Sequence, residues 1–329
     1  MQAFLLKAWQ RRGWVACLLW PVSLAYRLLL ALTRLSWSCG LRRAVRLPVP
    51  VLVVGNVVAG GAGKTPVVRA LALHLQQRGV PVGIVSRGYG RGTSDTREVL
   101  ADSAPHEVGD EPLWLQRECR VPVFVGRRRA EAGAQLLQNH PQVRVLLSDD
   151  GLQHHGLARD LELLVFDDRG VGNGWLLPAG PLREPWPREA DLVLGVTPLP
   201  FSDDSAPRRY LMQRQLSKLI SQGAGRTDSL CHWRGKSITA VAGVARPQVF
   251  FDMLRSEGLD LKRTIALPDH HPYLEALPVA PGEVLMCTAK DAAKLWVHHP
   301  QAWCVALEVT FEPAFWDALD ERLKALAII

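Results

Sequence analysis

The residues with the clearest chemical purpose are Val58, Ala59, Gly60, Gly61, Ala62, Gly63, Lys64 and Thr65, which follow the apolar run VLVVG and precede a stretch of helical spacing. Glycines at 60, 61 and 63 let backbone N–H groups turn inward and approach phosphate oxygens that side chains would block. A helix beginning after Thr65 adds partial positive charge at its N-terminus. Lys64 suits the β- and γ-phosphates of a nucleotide, and the Thr65 hydroxyl suits Mg²⁺. The strict phosphate-loop pattern has glycine where this chain has Val58, but the GGxGKT core is intact. The alternative is a chance glycine turn, against which the strand on one side and the helix on the other both argue.

A second group lies at the end of VRVLLS, where Asp149 and Asp150 lead into Gly151-Leu152-Gln153-His154-His155. An apolar strand ending in acid is the expected complement of a phosphate loop, because Mg²⁺ takes oxygen ligands at a strand tip beside the loop threonine. The two adjacent histidines point apart, which favours polar contacts over a metal pair. SRGYGR places Arg87 and Tyr89 at a strand's carboxyl edge, where open α/β sheets bind ligands and two arginines suit an anion. In HEVGDEP, three carboxylates including Asp110 open a helix near Pro112, which is also ordinary dipole chemistry. The Pro/Gly-rich LPAGPLREP holds Arg183 on a rigid loop, where it can face a transferring phosphate.

These groups need a framework, and the chain can build one. Of 329 residues, 48% are hydrophobic, enough for roughly two cores. The six cysteines show no C-x-x-C pair, so neither zinc nor disulfides are suggested and reduced cytosolic thiols fit. Strands alternating with helices after Leu47 read as a P-loop NTPase-like α/β/α domain over 47–200, a linker over 201–234 with a strand near Arg209–Gln215, and a smaller α/β domain over 235–329.

The net charge of +7 conceals an asymmetry: residues 1–94 hold thirteen Lys/Arg and no acid, leaving 26 basic against 32 acidic residues in the remainder. Beside this basic segment, GWVACLLWPVSLAY carries no charge, Arg27 interrupts, and LLLALTRL follows. The uncharged run is short for a spanning helix, which needs about 20 apolar residues. Ser23, Arg27, Arg34 and Ser38 form one polar stripe, tryptophans at 9, 14, 20 and 37 favour a headgroup region, and Arg42, Arg43 and Arg46 would lie near lipid phosphates. Residues 1–46 therefore read as a membrane-associating helix and basic segment lying in the interface. A signal peptide and a plain core helix are the alternatives; the first lacks a convincing cleavage site. No nucleic-acid-binding pattern is present.

Taken in order, GGAGKTP, SRGYGR, GDEP, DDGLQHH, PAGPLREP, PDHHPY and TAKDAAKL give the sequence its most specific feature. Together they resemble the tetraacyldisaccharide 4′-kinase family of lipid A biosynthesis, over nearly the full length. The resemblance implies ATP and Mg²⁺ as cofactors and an acylated glucosamine disaccharide 1-phosphate as substrate, phosphorylated at its 4′-hydroxyl to the 1,4′-bisphosphate. It implies a monomer at the cytoplasmic face of the inner membrane. It places a catalytic aspartate on Asp110 and its partner histidine on His270, with His271 as the competing position. Lys64 and Arg183 join them as catalytic residues. Arg87, Tyr89, Arg129, Gln153 and His154 become substrate and phosphate contacts, and Thr65, Asp149 and Asp150 the metal ligands. A histidine beside a carboxylate is held in one tautomer and made more basic, and drawing the two from different domains would make closure a condition for chemistry.

Two other functions compete. A membrane-bound nucleotide switch of the partitioning type would carry a second lysine early in the loop, where this chain has Ala59. A GTPase would carry N-K-x-D, and Thr288-Ala289-Lys290-Asp291 stands at the wrong spacing.

Overall fold

The computed structural model describes residues 6–198, 208–280 and 282–329. The chain divides into two compact units that do not follow chain order: the first holds 1–87, 126–212 and 311–329, the second 88–125 and 213–310. The expected boundaries were linear in the chain. Of the expected linker 201–234, residues 201–207 lie outside the described residues. The rest holds three strands, Arg208–Leu216, Leu219–Gln222 and Thr227–Ser229, and a short 3₁₀ turn at Leu230–Trp233.

In the first unit a parallel sheet is built from β1 (Val51–Gly55), β2 (Val82–Ser86), β3 (Val145–Asp149), β4 (Leu161–Phe166), β5 (Leu192–Gly195) and the first residues of β6 (Arg208–Leu216), in the order β6-β5-β4-β1-β3-β2. Every residue of β1, β2 and β3 is buried, which is why these strands read as continuous apolar runs rather than alternating ones. The chain leaves central β1 toward one side and returns to pair β4 on the other, so the strand order reverses around β1, where doubly wound sheets bind ligands. Helix Lys64–Gln77 follows β1, helix Arg129–Asn139 precedes β3, and helix Pro313–Ala325 closes the unit.

The N-terminal helix, Trp14–Ser38, also belongs to the first unit. It has a mean hydropathy of 1.9 in its most apolar window, and only Ala16 and Ser23 are buried. Its 25 residues extend roughly 38 Å, enough by length to cross a bilayer. Contacts with the unit recur along its length. The Ser23 hydroxyl donates to the Leu176 carbonyl (2.9 Å), the Tyr26 hydroxyl to the Arg183 carbonyl (2.9 Å), and Arg34 pairs with buried Glu184 (3.2 Å). The expected polar stripe therefore divides: Ser23 is buried and Arg34, itself half exposed, pairs with protein, while Arg27 and Ser38 are exposed. Arg46, expected near lipid, pairs with Asp160 at 2.7 Å.

The second unit carries a six-stranded sheet in the order Thr227–Ser229, Leu219–Gln222, Trp303–Val305, Val284–Thr288, Ser237–Ala242, Asp260–Ala266. The last four strands are parallel and the first two antiparallel. Phe251, Leu254, Met286, Trp303 and Val305 fill its core. Helix Asp110–Cys119 starts two residues earlier than the sequence suggests and packs beside helix Ala289–Leu295.

Gly55, where β1 opens into the phosphate loop, has no room for a side chain: an added Cβ would stand 2.5 Å from the Leu152 Cβ. Gly55→Ala should destabilise the protein by about 1–3 kcal/mol, the usual range for overpacking, and lower the thermal unfolding midpoint. An unchanged midpoint by calorimetry would show that the strand and the Leu152 turn separate freely.

Candidate active site

The phosphate loop begins where β1 ends, and its backbone has the expected conformation. Gly60 (φ 97°) and Gly63 (φ 79°) occupy left-handed positions that strain other residues, and Gly63 caps helix Lys64–Gln77. A short bridge ties the loop to LPAGPLREP: Arg183 N–H donates to the Val57 carbonyl (2.7 Å), Ala59 N–H to the Pro181 carbonyl (2.8 Å), and Val58 pairs with Leu182. Val58 is buried in this bridge, which explains why an apolar residue stands where a glycine is usual. Arg169 extends under the loop, held by Asp167 at 2.7 Å, and donates to the carbonyls of Ala59 (3.4 Å) and Gly61 (3.3 Å). Arg169 thus occupies the carbonyls of Ala59 and Gly61 on one side of the loop.

Asp149 ends β3 directly beside Val54 of β1. Asp150, in a left-handed turn (φ 49°), holds both cations of the site: its Oδ1 lies 3.4 Å from the Lys64 Nζ and 3.4 Å from an Arg183 guanidinium nitrogen. Arg183 also donates to the Gln153 Oε1 (3.2 Å), and the Gln153 amide donates to the Asn56 carbonyl (3.1 Å) and to Glu184 (2.9 Å). The side chains expected to hold Mg²⁺, those of Thr65, Asp149 and Asp150, offer oxygen donors only, two carboxylates and one hydroxyl. Among the described residues no group of three His, Cys, Asp or Glu side chains is arranged to hold a metal. Oxygen donors of this kind suit Mg²⁺, which takes one or two carboxylates and completes its shell with phosphates and water.

The remaining expected contacts differ in exposure. Arg87 is exposed. Arg129 is 4% exposed, and its guanidinium donates to the carbonyls of Gly126, Arg127 and Asp150 at 3.4–3.5 Å, so it braces the Asp150 turn. The His154 Nε2 accepts the Arg129 N–H at 3.2 Å. Burial, reinforced by the positive charges of Arg129 and Arg159, brings the His154 imidazole down to about 4, so it is neutral near pH 7.

Asp110 and His270 meet within the second unit, not across the two units, with the His270 Nδ1 3.3 Å from the Asp110 Oδ2. Asp110 opens its helix after Gly109 but makes no capping bond there; its buried carboxylate is given to His270 and to Lys294, whose Nζ lies 2.7 Å from the same Oδ2. His270 adopts a left-handed backbone (φ 60°), and its ring packs against Tyr89 at 4.9 Å. His271 turns away: its Nδ1 accepts the Tyr273 N–H at 3.1 Å and its ring packs edgewise on Tyr273. Sequence reasoning missed Arg169, Glu184 and Lys294, although the last lies in the TAKDAAKL motif.

Comparison with known proteins agrees with this geometry. The family model for tetraacyldisaccharide-1-P 4′-kinase matches residues 15–324. The tetraacyldisaccharide 4′-kinase of Delftia acidovorans is 54% identical over 97% of this chain and 94% of its own length, and that of Acidovorax sp. (strain JS42) is 52% identical over the same shares. Among solved structures, LpxK from Aquifex aeolicus in complex with ATP superposes with a TM-score of 0.82 at 28% identity, covering 94% of this chain and 99% of that one. A match over nearly every residue, joined to a phosphate loop and an Asp–His pair in place, means that the chain belongs to the tetraacyldisaccharide-1-P 4′-kinase family.

Proposed function

We infer that this chain transfers the γ-phosphate of ATP to the 4′-hydroxyl of a tetraacyldisaccharide 1-phosphate in lipid A biosynthesis. The observation that carries the reading is the convergence of Lys64, from the phosphate loop, and Arg183 on the Asp150 carboxylate, within a chain of this family. The ATP complex of the Aquifex relative supports the choice of nucleotide.

Phosphoryl transfer has a loose transition state, so the protein contributes positioning and charge rather than covalent chemistry. The loop N–H groups and Lys64 hold the β- and γ-phosphates, and Arg183 balances charge on the transferring group. Thr65 with Asp149 or Asp150 would hold Mg²⁺, which would supply further charge neutralisation. Arg87, Tyr89, Gln153 and His154 contact the sugar and its phosphate; Arg129 acts through the Asp150 turn. His270 accepts the 4′-hydroxyl proton while Asp110 holds the ring.

The helix Trp14–Ser38 associates with the inner membrane from its cytoplasmic face. In support, Trp14, Leu18, Leu28, Leu29 and Leu32 are all more than half exposed, while protein contacts along the opposite side favour a helix lying in the interface over one crossing it.

Lys64→Ala or Thr65→Ala should lower turnover by at least about 10²-fold with the fold intact by circular dichroism. Near-normal turnover by either at saturating Mg-ATP would remove the phosphate-loop assignment. Asp110→Asn and His270→Ala should each reduce kcat by roughly 10²- to 10⁴-fold with smaller changes in KM for ATP, and the double variant should be little worse than the worse single one. Fully multiplicative losses, or His271→Ala matching His270→Ala, would refute the pair. On the membrane side, deleting residues 1–38 should move the protein from the membrane pellet to the supernatant. An intact protein found wholly in the low-salt supernatant would contradict the anchor.

A further inference from the structure

The motif TAKDAAKL makes contacts that the reaction scheme leaves unused. It forms the end of strand Val284–Thr288 and the helix Ala289–Leu295, and the helix reaches both members of the Asp110–His270 pair. On the histidine side, Asp291 is buried and its Oδ2 accepts the Gly243 N–H (3.0 Å) and the Thr288 hydroxyl (2.6 Å). The Gly243 carbonyl in turn accepts the His270 N–H at 3.1 Å. On the aspartate side, one turn further along the helix, Lys294 donates to the Asp110 Oδ2. Lys290, at the i−4 position from Lys294, pairs with Glu111, so two lysines on one helix face meet two consecutive carboxylates at the start of another helix.

The contact between Lys294 and Asp110 is not a surface ion pair. The two side chains are 11% and 9% exposed, and the Lys294 Nζ lies over the Tyr273 ring, 5.7 Å from its centroid. Water and salt screen such a pair weakly. Both His270 and Lys294 are directed at the same oxygen, so the negative charge available to the imidazole is what remains after the ammonium has taken its share. The other groups facing His270 are Asp269, whose Oδ1 lies 3.8 Å from the Nε2, and the uncharged Tyr89 ring. Asp291 and the Lys290–Glu111 pair stand behind Asp110 and His270 and touch neither imidazole nitrogen.

We propose that Lys294 is a positioning residue of the phosphoryl-transfer site: it fixes the Asp110 carboxylate and offsets part of its charge, which sets the pH at which His270 is free to accept the sugar hydroxyl's proton. The inference rests on the assignment of Asp110 and His270 as the base. An uncompensated carboxylate favours imidazolium, so without Lys294 the histidine holds its proton to higher pH and the base is lost over a wider range. With the lysine in place, the carboxylate still orients the ring through its contact with the Nδ1.

The test is the pH dependence of kcat/KM on the lipid disaccharide with the full-length protein. In Lys294→Met, which keeps the length of the side chain and removes its charge, the acidic limb should move upward by about one pH unit, with KM for ATP within about two-fold of wild type. Lys294→Arg should leave the limb near its original place. Lys294→Gln provides a second neutral variant in case Lys294→Met does not fold. A limb that stays in place in folded neutral variants overturns the proposal, and so does a fall in kcat that is uniform across pH. Failure of the underlying assignment looks different: His270→Ala would then keep its turnover. An inactive His270→Ala beside an unmoved limb in Lys294→Met would sink this inference and leave the base assignment standing.

Discussion

The phosphate loop of the first unit is tied down by a three-residue backbone bridge between Val57–Ala59 and Pro181–Arg183. The phosphate loop needs its N–H groups free to face an anion, so it cannot satisfy itself by forming ordinary secondary structure. Its entry is stiffened from outside instead, by Val58 buried against Leu182 and by Arg169 under the carbonyls of Ala59 and Gly61. The same bridge fixes where Arg183 emerges, because its N–H is one of the bonds. One local constraint thus sets both the cradle and the cation that works beside it.

A second constraint concerns charge. Lys64 and Arg183 share Asp150, Arg34 and Arg188 share Glu184, and Lys294 and His270 share Asp110. Each acid is shared by two basic groups, so that one of the two can move away without leaving the carboxylate unpaired. A cation in that arrangement can turn to a phosphate without abandoning a private counter-ion. This is a reasonable physical basis for a site that must receive a highly charged nucleotide and release it again.

What was legible in the sequence follows from range. β1, β2 and β3 were readable because buried parallel strands leave unbroken apolar runs, and the phosphate loop because left-handed turns select glycine at Gly60 and Gly63. The choice between His270 and His271 was not readable, since both sit in one loop and only the left-handed turn at His270 sends one ring to Asp110 and the other to Tyr273. Arg129 was expected as a substrate contact from the family resemblance alone, and its burial against three carbonyls is a tertiary fact that no local pattern carries. The grouping of 88–125 with the later part of the chain was equally invisible, because local pattern carries no information about distant contacts.

The way helix Trp14–Ser38 sits on the protein bears on how a detergent-free form is best made. Removing the helix takes away the donors to the Leu176 and Arg183 carbonyls and the acceptor of the Ala179 N–H, all on the loop that presents Arg183. A shortened protein would gain solubility and lose the backing of that loop together, and any change in its activity would mix the two. Exchanging the outward leucines Leu18, Leu28, Leu29 and Leu32 for polar residues would alter only the face that the protein itself leaves uncovered, keeping Ser23, Tyr26 and Arg34 in place.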